Sequence, residues 1–166
     1  KNFFLPEIVK KADLIINVPK LKTHTLTKMT GAIKNLYGCI PGGMKQRIHR
    51  KAQGSKKFSK LLVDIYQNIH PKLTIMDAIV AMDGEGPTSG NPRKLGLILA
   101  SKNGVALDIV ATKMIGLNPK TIYTIKEAVK RKIYPNFKFK IVGEKFKKVK
   151  FEIPNSKARL KAKGML

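Results

Sequence analysis

Two short stretches of the chain concentrate the residues that could do chemistry. The first, PKLKTHTLTKMTGAIKN, runs from Pro19 to Asn35 and gathers Lys20, Lys22, His24, Lys28 and Lys34 around threonines and one glycine, Gly31. Lysines attract an anion. A histidine among them is disfavoured from protonating, so a neutral imidazole near pH 7 can ligate a metal or accept a proton. The second stretch follows Asp77. Of ten acidic residues, Asp77, Asp83 and Glu85 fall close together, the latter two inside the Gly-rich DGEGPTSGNPR. Carboxylates on such a loop can take protons, hold a hard cation or anchor a ligand's hydroxyls and amines. The backbone of Gly86 with Thr88 and Ser89 could instead cradle an anion. The loop is no P-loop, because the Lys-Ser/Thr ending is absent.

The elements that must position these residues follow from periodicity. DLIINVP (Asp13–Pro19) is a continuous apolar run closed by proline, the mark of a strand buried on both faces. From Thr25 to Leu36, Leu26, Met29, Ile33 and Leu36 recur at helical spacing, which predicts a helix opening just after His24. Its N-terminus would offer unpaired N–H groups to an anion. His24, Thr27, Lys28, Gly31 and Asn35 would share one side of it, with Lys34 at the margin. A glycine in mid-helix costs about 1 kcal/mol relative to alanine, so Gly31 implies close approach by a ligand or a neighbouring backbone. The plainer alternative is a solvated basic face with a packing glycine.

Leu5–Ala12 reads as a short helix with Pro6 in its first turn. Tyr37–Met44 reads as a loop, and the basic stretch Lys45–Lys57 as an excursion or surface helix. Phe58, Leu61, Leu62, Ile65 and Ile69 make an amphipathic helix that ends before Pro71. Lys72–Met82 begins as a strand, and Lys94–Ser101 is another. Asn103 caps an apolar helix running to Ile115, and Asn118–Pro119 opens a further helix with Ile122, Ile125 and Val129 inward. KFKIVGE and KKVKFEI read as terminal strands. Alternating strands and helices predict an α/β fold, a largely parallel sheet with helices on both faces. Residues 1–153 form one such domain, 154–166 a basic polar tail. The chain opens without Met, on an already helix-like KNFFLPEIV, and reads as a fragment with strands missing upstream. In open parallel sheets ligands sit beyond the carboxyl ends of strands, where both chemical stretches fall.

Other candidates are weaker. Asp108 lies inside the apolar GVALDIVATKMIG and requires a partner or a shifted pKa; a structural bond explains it better than catalysis. His49 and His70 lack metal-ligand spacing and read as surface residues. Cys39 is the only cysteine. An internal disulfide and a Cys-ligated iron–sulfur or zinc site within this chain are thereby excluded, and a cytoplasmic setting fits. No apolar run nears the ~20 residues of a membrane span. The formal net charge is +24, which predicts attraction to polyanions. The excess is mostly lysine spread along the chain, with no helix-turn-helix, zinc-finger or stacking-platform signature, so nucleic acid would be bound only non-specifically.

ADLIINVPKLKTHTLTKMTGAIKNLYGCIPG and MDGEGPTSGNPRKLGLILASKNGVALDIVATKMIG resemble, in order, the two blocks of the domain of unknown function 362 family. Members are often fused to, or followed by, a two-cluster ferredoxin module. The resemblance therefore implies a redox-linked context, with a 4Fe–4S module on an adjacent domain or partner. It implies no settled activity. A local resemblance to nickel-pincer lactate racemase-type enzymes rests on the spacing of His24, Thr30, Gly31, Ala32 and Lys34, although their Ser-Gly-Gly is Thr-Gly-Ala here. It would make His24 a metal ligand or acid/base and Lys34 a substrate-carboxylate binder. The combined expectation is an α/β domain binding a small anionic ligand or cofactor. Lys20, Lys22 and Lys34 hold the anion, His24 acts on it, and Asp83 and Glu85 hold a polar part. Thr25, Thr27, Gly31, Asn35, Gly86, Thr88 and Ser89 line the site.

Overall fold

The structure is a computed structural model, and it describes residues 4–52, 54–134 and 139–155. Its elements in chain order are α1 (Glu7–Lys11), β1 (Ile16–Asn17), β2 (Lys20–His24), β3 (Lys28–Thr30), α2 (Ala32–Asn35), α3 (Gly42–Lys51), α4 (Ser55–Ile69), β4 (Leu73–Asp83), β5 (Asn91–Ser101), α5 (Gly104–Met114) and α6 (Tyr123–Lys130). The α/β class is as expected. β1 and β2 pair in parallel with successive parts of β4, β5 pairs antiparallel along the other side of β4, and β3 pairs antiparallel with β2.

The expected apolar strand is divided at Val18–Pro19, where the Pro19 carbonyl accepts the Asp77 amide at 2.9 Å. Alternation along β2 and β4 then sorts the two faces of the sheet. Leu21, Thr74, Met76, Ala78 and Ala81 are buried, in a core they share with Phe58, Leu62 and Ile65 of α4 and Val105 and Ile109 of α5. The described helices gather over that face. The opposite face carries exposed Val18, Ile79, Val80 and Ile98.

β4 bulges in its middle, since its register with β2 slips between Lys20 and Lys22. The Asp77 carboxylate holds the bulge, accepting the Ile79 amide at 3.0 Å. It also pairs with Lys20 Nζ at 2.7 Å, and the same ammonium donates to the Val80 carbonyl. These bonds, Lys20 first, keep the Asp77 carboxyl below its ordinary range.

Helix α5 has apolar residues around its circumference and is buried along most of its length, with Lys113 exposed in its last turn. The Asn103 side chain caps it as predicted, accepting the amides of Val105 and Ala106. Arg131 joins α6 to α4, donating to Asp64 and, at 2.8 Å, to Glu127. The basic stretch after Met44 is helical, as α3 continuing towards α4.

Three expected elements, one helix and two strands, are absent among the described residues. Thr25–Leu36 is not a helix: β2 turns over Thr25, Leu26 and Thr27 into β3, pairing His24 with Lys28 and Lys22 with Thr30. Only four residues, Ala32–Asn35, are α-helical before a 3-10 turn at Leu36–Cys39. β-branched threonines at 23, 25, 27 and 30 favour the strand, and they outweigh an apolar spacing that also fits a helix. Nor do the described residues of the two terminal segments form strands. Instead an extended run hydrogen-bonds past the end of α5, the amides of Val149 and Phe151 donating to the carbonyls of Met114 and Ile115. Residues 156–166 of the expected tail lie outside the described residues, as does the side chain of His49.

Candidate functional site

Parallel pairing sends β2 and β4 in one direction, so both chemical stretches emerge at one edge of the sheet. The loop after β4 packs directly on the end of β2. Thr23 Oγ1 donates to the Gly84 carbonyl at 2.7 Å, and Thr25 Oγ1 to the Gly86 carbonyl at 3.2 Å. Gly86 must be glycine here, because a Cβ would overlap Thr23. The shared edge expected from the strand order is therefore present, and threonines build it.

Within that edge the acids are engaged by backbone. Asp83 is buried, and its Oδ1 accepts the Gly84 amide at 2.8 Å and the Glu152 amide at 2.6 Å. Glu85 accepts the Asn155 amide at 3.2 Å. The pair thus clamps the extended 149–155 segment to the loop. The amides of Gly84, Gly86 and Ser89 donate to Glu152, Gly84 and Glu85 carbonyls, which removes three donors from the expected anion cradle. Thr88 and Ser89 are exposed.

His24 is 7% exposed. Its Nδ1 accepts the amides of Leu26, at 3.0 Å, and Thr27, at 3.4 Å. That nitrogen is then unprotonated and occupied by the turn. Thr27 is buried and donates to the Met29 carbonyl. Lys28 takes the left-handed conformation, φ 66°, that closes the three-residue connection.

Gly31 admits a neighbour, as the sequence implied, and the neighbour is Asp108. A Cβ at Gly31 would fall on the Asp108 carboxylate. That carboxylate accepts the Ala32 amide at 2.6 Å and the Ile33 amide at 3.1 Å, capping α2, which has no side-chain cap of its own. Burial pushes the Asp108 carboxyl up to about 7 against these two bonds. Asn35 also has a structural bond, donating to buried Asn17, which in turn donates to the Ala32 carbonyl.

Lys22 and Lys34 differ from all of these. Among the described residues neither side chain has an ion pair or hydrogen bond. Lys34 is half-buried, and burial first, then the Lys22 charge, pull its ammonium down to about 8. Opposite Lys22 in the β2–β3 ladder stands Thr30, whose Oγ1 is buried without a hydrogen-bond partner. Thr30 enters the sequence argument only through its place in the racemase-like spacing; its burial depends on the hairpin that the helical spacing concealed. Among the described residues no cluster of three His, Cys, Asp or Glu could hold a metal ion. A cleft between α1 and the end of α4, lined by Leu5, Val9, Asp13, Ile69 and His70, lies apart from all these residues.

Comparison with known proteins adds two findings. The family model described as "Domain of unknown function (DUF362)" matches residues 1–113. The chain is 45% identical over 115 residues to the thylakoid-associated protein sll1697 of Synechocystis sp.. That match covers 69% of this chain and 36% of the relative, so the chain corresponds to about a third of the longer protein. No solved structure matches. No described helix is long and apolar enough to cross a membrane.

Proposed function

The chain belongs to the Domain of unknown function (DUF362) family, and on that premise we propose that it binds a small anionic ligand, a phosphate or carboxylate compound, at Lys22, Lys34 and Thr30. One observation carries the reading. Two lysines lie near each other at the carboxyl end of the parallel strands, one of them half-buried, and among the described residues neither is paired with an acid. Two like charges held together in partial burial are unfavourable, and an anion between them removes the cost. The buried Thr30 hydroxyl supplies the hydrogen bond that such an anion would accept. Lys20, expected to join them, is bound to Asp77. A redox-linked setting with a ferredoxin-type partner belongs to the same proposal and rests on the family resemblance; a cytoplasmic location belongs to it too and rests on the lone cysteine, Cys39.

The test is calorimetric titration with inorganic phosphate, pyrophosphate and lactate at pH 8 in buffers of different ionisation enthalpy. An anion raises the Lys34 pKa from about 8, so binding takes up protons, and Lys34→Met weakens it at least tenfold. Unchanged affinity in Lys34→Met, or binding with no proton uptake, would overturn the assignment.

A further inference from the structure

The sheet face opposite the helices is apolar over the half distant from Lys22. β-pairing places Ile16 beside Leu73 and Ile98 beside Asp77, and Ala100 beside Ile75. Side chains of paired residues share a face. Ile16 is 47% exposed, Val18 62%, Ile79 47%, Val80 41% and Ile98 63%. Ile16, Ile79, Val80 and Ile98 lie on three strands and Val18 follows the first of them, with the Lys20–Asp77 pair in their midst. Exposed apolar side chains on neighbouring strands mark a surface that another layer covers.

Charge decides what the layer is. Of the residues that β1, β2, β4 and β5 direct to this face, Asp77 is the one carboxylate, and Lys20 neutralises it. Lys94, paired with Val80, is exposed beside the patch, as are Lys72 and Lys102 at its end. A second copy would bring another +24 against the first. The chain's own 156–166 segment carries Lys157, Arg159, Lys161 and Lys163, the same sign as the patch rim.

We propose that this face is an interface for an amphipathic helical unit whose apolar stripe is flanked by Asp and Glu. The longer cyanobacterial relative has room for such a unit, since 36% of it is matched. The inference does not rest on the anion site.

The experiment places the photo-crosslinking residue p-benzoylphenylalanine at position 98, at 18, or at 120, in cells that make the protein natively, and sequences the captured peptide. Lys120 is exposed and away from the sheet. Expected are cross-links from 98 and 18 to one and the same peptide. It should have apolar residues at helical spacing and more Asp and Glu than Lys and Arg. Ile98→Glu should lower the yield from position 18 at least tenfold. Capture of a second copy, capture of lipid, a basic peptide, or yields no higher than from position 120 would each overturn the proposal.

Discussion

The β2–β3 hairpin and the loop after β4 both looked like chemistry in the sequence, and the structure uses them differently. Every carboxylate of the loop and its surroundings holds a structural bond: Asp83 on Gly84 and Glu152, Glu85 on Asn155, Asp77 on Lys20 and Ile79. On the hairpin side, Lys22 and Lys34 have none among the described residues. With 34 basic residues and ten acidic ones, a carboxylate readily finds a donor, while most lysines must go without an acid. Clustered acids in such a chain are therefore fastenings. An informative charge is a lysine that is unpaired and yet withdrawn from water.

The contrast breaks most sharply at Asp108. Asp108→Ala leaves the buried amides of Ala32 and Ile33 without acceptors and should cost about 3 kcal/mol or more in urea unfolding. Its pH dependence has a definite sign. The folded pKa, about 7, lies above the ordinary value of 3.8. The folded state therefore binds the proton more tightly between these values, and the Asp108 contribution to stability falls as pH rises from about 4 to about 7. Asp108→Asn should lack that slope, so the wild-type-minus-variant difference should isolate it.

Asp83→Ala comes next. It should cost about 1–2 kcal/mol and accelerate hydrogen exchange at the Glu152 amide, while leaving anion affinity unchanged. Loss of binding without loss of stability would return Asp83 to the ligand site. Lys34→Met should do the reverse of the acid substitutions, stabilising the protein at pH 7 by about 1 kcal/mol after allowance for partial exposure. Its folded pKa is lowered from 10.5 to about 8, so the gain should shrink as pH rises from about 8 to about 10.5, readable as a converging pair of Tm curves. The smallest effect is at Lys28, where glycine removes left-handed strain and should add up to about 1 kcal/mol in thermal unfolding.

Local signals made much of the fold legible. The Asn103 cap, the apolar stripe of Phe58 to Ile69 and the β4 and β5 runs each depend on neighbours in sequence and are present, although β4 runs on to Asp83 and β5 opens at Asn91, inside the stretch expected to be irregular. The hairpin was not legible, because its left-handed residue is Lys28, with no Gly or Asn to mark the turn. Leu26, Met29, Ile33 and Leu36 have helical spacing, yet Met29 and Ile33 are buried from different elements, a strand and a short helix. At the site, the residue types drew attention to the right edge of the sheet. Which charges remain unpaired depends on Asp108 reaching Ala32 and on Glu152 reaching Asp83, contacts between distant parts of the chain that no local pattern encodes.

The clamp between Asp83 and Glu152 also sets an order of events in time. The two residues are 69 positions apart, and such a closure yields its hydrogen bond only after α5 and α6 have been placed between them. The bond should therefore form after the rate-limiting step. Asp83→Ala would then leave the refolding limb of a chevron where it is and raise the unfolding limb by nearly the whole stability loss. The loop after β4, sequentially central and bordered by two long strands, would be among the last parts of the molecule to settle and among the first to open.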